Sequence, residues 1–388
     1  MRLRTFPVFL VFLAMGFGDA VGPFVSLAKE QFQLSTTVAT LIPFVGFSMF
    51  GLLSVPVGVW QDKRGKKTVL MAGLGIMAAG LLSASFGITS FPLFLGAILF
   101  LGAGAAVLQV AGNPIMRDVS EEGKFARNLT LGQFVKAIGS LSGPLIPVIA
   151  ARYFGADWKV IFPIYSAALL ITLLAVGGLR VKKQEGGGQP ATLGSCLSLL
   201  SNGYVLAMVM AIFVYVGAEV SVSSGIPLFL KQNYGIDINR VGLLGTGLFF
   251  MALTIGRFCG GVVLNWMAPR KFLLVTCGAA ILGLLGLFIP VATVAAVSFF
   301  VAGLGFANVF PLVFSIAVDH MPERANELSG LMVTAIVGGA ILPPIMGFVA
   351  DQTKSMQLGF LVPLAAIVYV AVIAVANQKN PAAAAVAQ

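Results

Sequence analysis

Acidic residues inside apolar stretches are the first candidates for chemistry in this sequence. Asp19 lies within FPVFLVFLAMGFGDAVGPFVSL (residues 6–27) and has no cationic neighbour in sequence. About 20 such residues span a bilayer as a helix, and a carboxylate at that depth costs about 2.5–3.5 kcal/mol on insertion scales. A chain keeps such a residue where it faces a polar cavity or a partner. Asp19 is therefore a candidate ion-coupling residue; the alternative is a structural carboxylate bonded to a neighbouring helix.

A second acid, Glu219, occupies nearly the equivalent place in the second half of the chain. It lies 200 positions after Asp19, within YVGAEVSVSSGIP, and Tyr215 stands one helical turn before it on the same face. We expect Glu219 to take part in ion coupling or in ligand binding.

Lys136 and Arg257 are the two cations that fall inside predicted spans. Lys136 lies about ten residues into its span, which is about 15 Å deep at 1.5 Å per residue. An ammonium group there should pair with a carboxylate or lose its proton, and Asp19 and Glu219 are the available partners. Such a pair would break when a proton or sodium ion arrives. Alternatively, Lys136 binds an anionic substrate, such as a sugar acid.

Amide side chains in the apolar stretches supply the donors and acceptors that hydroxyl-rich ligands need. Each amide is equally suited to a hydrogen bond between helices. The predicted substrate-binding residues are Gln109, Asn113, Gln133, Lys136, Tyr215, Glu219 and Asn308. The sequence shows no nucleotide-binding loop, metal-ligand cluster or catalytic triad, so we expect no enzymatic activity and no cofactor beyond a coupling ion, H+ or Na+.

The elements that must position these residues are membrane-spanning helices. Hydrophobic residues make up 58% of the 388 residues and charged residues 10%, against about 45–50% and about 25% in soluble proteins. At about 20 residues a span, this length leaves room for about twelve helices. The predicted spans are 6–28, 36–60, 68–89, 92–116, 126–151, 160–180, 204–231, 238–263, 271–289, 292–318, 325–350 and 358–377.

The distribution of basic residues predicts the orientation of these spans. With both termini inside, sixteen Lys and Arg residues fall on the cytoplasmic side and six on the outside. The positive-inside rule therefore predicts cytoplasmic termini in a bacterial-type inner membrane. Because the basic residues are spread over many short loops, the net charge of +10 does not indicate a nucleic-acid partner.

The two halves of the chain repeat each other. AIGSLSGPLIP (137–147) resembles AIVGGAILPPIMG (335–347), at an offset of about 198 residues. Internal repeats around a site at the bilayer midplane are typical of transporters. We therefore predict an all-α membrane protein of two pseudo-symmetric six-helix bundles, residues 1–180 and 203–388, joined by a polar, glycine-rich cytoplasmic linker, 181–202.

The loop GVWQDKRGKK (58–67) resembles the G-x-x-x-D-R-x-G-R-R/K signature of the major facilitator superfamily. Gly58 permits close helix contact, Asp62 can bind basic groups and Gly65 turns the chain. The resemblance implies that these residues and Arg64 form a cytoplasmic latch. The corresponding stretch in the second half has Asn265 where an acid would stand, so we expect a weaker latch there or one that uses Arg257 and Asp351.

Almost the whole chain resembles the fucose:proton symporter family of that superfamily. The resemblance rests on AGNP (111–114), YVGAE (215–219), IGRFCG (255–260), FPLVFSIAV (310–318) and VGGAILPPIMGFVAD (337–351). Family members are similar proton- or sodium-coupled hexose carriers.

Three positions relate the chain to the residues that this family uses. The family commonly places an acid on the first span, which matches Asp19. It also commonly places a glutamate on the fourth span, where this chain has Gln109, and the family asparagine of the fifth span is replaced by Lys136. Losing one acid and gaining one base changes the buried charge by two units.

We therefore predict a twelve-helix secondary transporter that takes up a small sugar with H+ or Na+ by alternating access. The alternatives are a carrier of an anionic sugar acid or other organic anion that uses Lys136, and a multidrug-type exporter. By resemblance, the chain works as a monomer, and its partners are the sugar and the lipid bilayer.

Overall fold

The computed structural model describes residues 6–19, 28, 31–34, 41–179, 192–235 and 247–378. In these ranges the secondary structure is helical, and no β-strand occurs there. The first half of the described chain contains six long helices: α1 (Phe6–Asp19), α2 (Leu41–Arg64), α3 (Lys66–Ser85), α4 (Phe91–Val119), α5 (Phe125–Phe154) and α6 (Ile161–Gly177). A short helix, α7 (Leu193–Ser198), follows in the predicted linker.

The second half of the described chain is also helical. Its helices are α8 (Gly203–Tyr234), α9 (Leu248–Val263), α10 (Pro269–Gly286), α11 (Ala292–Phe306), α12 (Val309–His320), α13 (Ala325–Thr334), α14 (Gly338–Thr353), α15 (Met356–Gly359) and α16 (Leu361–Gln378). Short 3-10 turns at Pro322–Arg324 and Ala335–Val337 precede α13 and α14.

The described helices account for the twelve predicted spans. Nine helices or helix pairs are long and apolar enough to cross a membrane, and two shorter apolar helices lie at Phe6–Gly18 and Leu248–Val263. The 30-residue α5 is the remaining span. Local chemistry sets several ends: Gly65 turns between α2 and α3 with φ of 82°, Ser90 precedes a proline in the first turn of α4, and Gly155 ends α5 in the left-handed region.

Contacts divide the chain into two compact units. The first comprises Met1–Phe125, Val135–Leu199 and Glu323–Thr334, and the second comprises Ala126–Phe134, Leu200–Pro322 and Ala335–Gln388. A short stretch from each half thus clusters with the other half. The division into bundles 1–180 and 203–388 stays a prediction, and most of the predicted linker lies outside the described residues.

Small residues bring helices close together within each unit. In the second unit, a Cβ atom on Gly283 would lie 2.4 Å from the backbone nitrogen of Ala302, so α10 and α11 touch through their backbones. Membrane helices associate through such small-residue contacts because lipid provides no hydrophobic drive between them. This packing holds the polar residues of the spans at fixed positions.

Candidate functional site

In the first unit, α4 carries two of the predicted ligand-binding amides. Gln109 and Asn113 are one turn apart and both are buried. Neither amide atom of Asn113 has a hydrogen-bond partner among the described residues. A buried amide without a hydrogen-bond partner destabilises the fold by about 1–3 kcal/mol, and a ligand that bonds Asn113 would recover this free energy. Asn113 is therefore the strongest candidate on α4 for a ligand contact.

The first unit also holds Lys136 against α1. A Cβ atom on Gly16 would lie 2.1 Å from the carbonyl oxygen of Lys136, and one on Gly139 would lie 2.3 Å from that of Leu13. Lys136 is 8% exposed and makes a contact in the structure. Asp19 is the last residue of α1, three residues beyond Gly16, and its side chain lies outside the described part of the chain.

Gln133 lies on the part of α5 that belongs to the second unit. It is buried, and its amide nitrogen has no hydrogen-bond partner among the described residues. Buried polar groups are normally hydrogen-bonded, so this amide nitrogen is a donor that a ligand or a neighbouring helix can satisfy.

In the second unit, Glu219 and Arg257 form an ion pair. The Arg257 Nη2 atom lies 3.5 Å from Glu219 Oε1, and the two side chains are 13% and 19% exposed. Glu219 stands on α8 and Arg257 on α9. The pair therefore places one negative and one positive charge together at span depth.

The same residues surround an interruption of the tenth span between α11 and α12. Ala307 and Asn308 form a buried turn there: Ala307 keeps helical dihedral angles (φ −49°, ψ −41°), whereas Asn308 departs from them (φ −112°, ψ 0°). The Tyr215 hydroxyl donates to the Phe306 carbonyl at 2.9 Å, and Arg257 Nε donates to the Ala307 carbonyl at 3.4 Å. Irregular backbone at membrane depth occurs only where protein or a water-filled cavity surrounds it.

Asn308 is held at this interruption by α9. Its Nδ2 atom donates to the Gly256 carbonyl at 2.8 Å, while its Oδ1 atom is buried and without a hydrogen-bond partner among the described residues. A Cβ atom on Gly260 would lie 2.3 Å from that oxygen. The structure thus brings together four predicted residues, Tyr215, Glu219, Arg257 and Asn308.

The predicted latch residues lie at the end of α2 in the first unit. A Cβ atom on Gly58 would lie 3.0 Å from the Asn326 carbonyl oxygen, and Asp62 accepts a hydrogen bond from Asn326 Nδ2 at 3.2 Å. Arg64 ends α2 and is exposed, and Gly65 makes the turn. Asp351 is exposed near the end of α14, whereas Arg257 contacts Glu219.

Sequence reasoning missed a polar cluster that holds the linker helix α7 in the first unit. Ser195 Oγ donates to Glu327 Oε1 at 2.6 Å, and Arg324 Nη2 donates to the Ser195 carbonyl at 2.8 Å. Arg324 also pairs with Glu327. The Thr192–Ser195 capping box was a readable signal for the helix itself.

The buried Cys196 on α7 reports on this docking. Burial and, next, the charge of Glu327 raise the pKa of the Cys196 thiol from 9.0 to about 11. Because the thiolate is the reactive form, we expect maleimide to label Cys196 about 100-fold more slowly near neutral pH than an exposed thiol. Labelling should keep rising between pH 8 and 10 instead of levelling off.

A matched control stands beside it on the same helix. Both proteins carry Cys259→Ser and Cys277→Ser. The first keeps Cys196 as its single cysteine, and the second carries Cys196→Ser and Leu197→Cys. Leu197 is 54% exposed, so the rate at position 197 is that of an exposed thiol on the same helix. Equal rates at both positions would contradict the docking of α7. Glu327→Gln should accelerate labelling of Cys196 and leave Leu197→Cys unchanged.

Comparisons with known proteins agree with this architecture. Residues 8–344 match the Major Facilitator Superfamily. The glucose/galactose transporter of Brucella abortus biovar 1 (strain 9-941) is 30% identical over 374 residues, which cover 91% of this chain and 88% of that protein. The L-fucose-proton symporter of Haemophilus influenzae is 22% identical, and the alignment covers 93% of each chain.

A solved structure has the same fold. The crystal structure of the major facilitator transporter FucP in the outward conformation superposes with a TM-score of 0.83 at 20% identity, over 98% of this chain and 100% of that one. These relatives are transporters and not enzymes. The chain therefore belongs to the major facilitator superfamily of membrane transporters.

Proposed function

We propose that this protein imports a small neutral sugar, a hexose or a related compound, together with a proton. The observation that carries the proposal is a set of buried hydrogen-bonding groups without partners among the described residues: both amide atoms of Asn113 and Oδ1 of Asn308. A sugar hydroxyl can both donate and accept, so it satisfies either kind of group.

The charges of the second unit support a neutral ligand. Glu219 and Arg257 compensate each other, which leaves hydrogen-bonding capacity without net charge at that place. The names of the relatives, a glucose/galactose transporter and an L-fucose-proton symporter, point to the same class of substrate.

We assign ion coupling to Asp19. Lys136 is its proposed partner, because the backbones of α1 and α5 touch at Gly16 and Lys136, three residues before the acid. Protonation of the carboxylate would break such a pair and release the lysine. Coupling to a proton is preferred to coupling to sodium because the symporter relatives are named for the proton.

The remaining features follow from alternating access. The bundles 1–180 and 203–388 would expose the ligand to each side of the membrane in turn. Gly58, Asp62, Arg64 and Gly65 would close the cytoplasmic side. The protein would act as a monomer in the inner membrane, with both termini in the cytoplasm.

An anionic sugar acid or other organic anion is the second candidate substrate. The observation that favours it is the buried cation Lys136 in the first unit. A multidrug-type exporter is the third candidate, and drug sensitivity of a deletion strain would distinguish it from the first two.

Uptake into proteoliposomes tests the function. Labelled glucose, galactose, fucose and glucuronate are supplied at two pH values, with and without sodium. We expect uptake of at least one neutral sugar that rises as the outside is acidified and does not depend on sodium. Uptake of glucuronate alone would favour the organic-anion carrier. Uptake that depends on sodium would show that sodium, and not the proton, is the coupling ion.

A pair of asparagine variants tests the binding groups in the same assay. Asn113→Ala should weaken the apparent affinity for sugar about tenfold or more, since a ligand bond to a buried amide is worth about 1–3 kcal/mol. Asn377→Ala is the control, because Asn377 is also buried but donates to the Ile373 carbonyl at 3.0 Å. Equal effects of the two substitutions would argue against a ligand at Asn113.

A further inference from the structure

The interruption of the tenth span depends on donors from neighbouring helices. Phe306 and Ala307 expose carbonyl groups that the helix no longer satisfies, and Tyr215 and Arg257 supply the donors. Tyr215 donates to the Phe306 carbonyl, and its side chain also lies against those of Glu219 and Arg257. Arg257 contacts the other carbonyl and also the carboxylate of Glu219, so it belongs both to the candidate binding site and to the interruption.

The two contacts of Arg257 are long. Its Nε atom lies 3.4 Å from the Ala307 oxygen and its Nη2 atom 3.5 Å from Glu219 Oε1. Tight charge-assisted hydrogen bonds measure about 2.7–2.9 Å. The guanidinium group is thus shared between two acceptors, and a change at one acceptor alters its hold on the other.

Helix α9 packs closely against the interruption, so a change at Arg257 is transmitted to the interruption directly. A Cβ atom on Gly256 would lie 2.6 Å from the Ala307 Cβ atom, so the backbone beside Arg257 packs directly on the interruption. Asn308 bonds the Gly256 carbonyl from the other side. A shift of Arg257 therefore displaces residues 307 and 308, which form the turn between α11 and α12.

We propose that Arg257 is a positioning residue that links the occupancy of Glu219 to the hinge at Ala307 and Asn308. A ligand hydroxyl that donates to Glu219 competes with Arg257 for the carboxylate. The guanidinium group then leaves its position between the two acceptors, its contact with the Ala307 carbonyl changes, and the backbone at Ala307 and Asn308 moves with it. The identity of the ligand in this step rests on the proposed function, whereas the link between Glu219 and the hinge does not.

Hydrogen exchange measured by mass spectrometry tests the link without any ligand. Wild type, Glu219→Gln, Arg257→Gln and the double variant are compared in lipid nanodiscs. Neutralising Glu219 leaves a buried cation without its partner, which is strongly destabilising locally. We expect Glu219→Gln to accelerate amide exchange across residues 303–312 about threefold or more in the wild-type background, and to change it less than about 1.5-fold in the Arg257→Gln background.

Two further variants separate positioning from general structure. Arg257→Lys keeps the charge but offers one nitrogen in place of the two that contact Ala307 and Glu219, so it should not restore the response to Glu219→Gln. Arg270→Gln is the matched control, because Arg270 also donates to a backbone carbonyl in the second unit, that of Asn377 at 2.7 Å. It should leave exchange across residues 303–312 unchanged. Size-exclusion profiles and unfolding temperatures confirm that each variant is folded.

The proposal is overturned if Glu219→Gln leaves the segment unchanged, or if its effect is the same in the wild-type and Arg257→Gln backgrounds. Adding a saturating neutral sugar to wild type forms a separate arm, in which we expect the same acceleration across residues 303–312. A response to Glu219→Gln without a response to any sugar would count against the proposed function and leave the Arg257 link standing.

Discussion

Asp19→Asn is expected to abolish uphill accumulation of sugar while leaving exchange across the membrane intact. Asparagine has the shape of aspartate but cannot take up and release a proton, so binding and conformational change continue without coupling. A proton moving down 100 mV supplies about 2.3 kcal/mol, or roughly fifty-fold accumulation. Proteoliposomes with an imposed potential should show that ratio falling to about one in the variant.

The control for this prediction is an acid that has a partner at the surface. Glu121 pairs with Lys124 and both are exposed, so Glu121→Gln should accumulate sugar like wild type. Retained accumulation by Asp19→Asn would remove Asp19 from the coupling mechanism. Loss of both accumulation and exchange would indicate instead that Asp19 binds the ligand or supports the fold.

Gly16→Ala is expected to have the largest effect of any single methyl group added to the first unit. The new Cβ atom would lie 2.1 Å from the Lys136 carbonyl oxygen and 2.8 Å from the Gly139 Cα atom. These are backbone atoms of α5, so α1 must move away as a whole. Overpacking costs about 1–3 kcal/mol where side chains can adjust, and we expect the upper end or more here.

Both stability and transport report the outcome. The unfolding temperature should fall, and uphill accumulation of sugar should drop toward a ratio of about one, because the proposed coupling residues Asp19 on α1 and Lys136 on α5 lose their alignment. Gly96→Ala is the control, since a Cβ atom on Gly96 meets nothing within 4 Å. Wild-type activity in Gly16→Ala would show that the α1–α5 contact does not position Asp19.

Hydropathy and charge were sufficient to predict the twelve spans. The interruption at Ala307 and Asn308 was not predicted, because the run 292–318 is predominantly apolar on both sides of it, although Pro311 was a readable sign of a missing backbone donor. Pro311 has no N–H to donate to the Ala307 carbonyl four residues earlier. Other helices complete the interruption: Asn308 bonds the Gly256 carbonyl, and Arg257 bonds that of Ala307. Tertiary bonds of this kind leave no periodic trace in sequence.

The candidate site was predicted by residue type more than by arrangement. Glu219, Tyr215 and Asn308 stood out as polar residues in apolar spans, and the structure brings them together. Arg257 was expected in a latch with Asp351, yet its neighbour in the structure is Glu219. A positive-inside count assigns a lysine or arginine to a side of the membrane and says nothing about which acid an intramembrane arginine meets.

The close approach of α1 and α5 could not be predicted either. Gly16 and Gly139 are two of 46 glycines in the chain, and one sequence does not reveal which of them face another backbone. The assignment of Asp19 as the coupling acid thus stays a prediction.

Proton movement measured with a pH electrode tests the central claim most directly. Neutral sugar is added to a lightly buffered suspension of proteoliposomes that contain the protein and no imposed gradient. Sugar entry should make the external medium more alkaline, with protons and sugar entering in a fixed ratio, and Asp19→Asn should abolish the pH change while sugar still equilibrates. Sugar entry into wild-type vesicles without any proton movement would contradict the account.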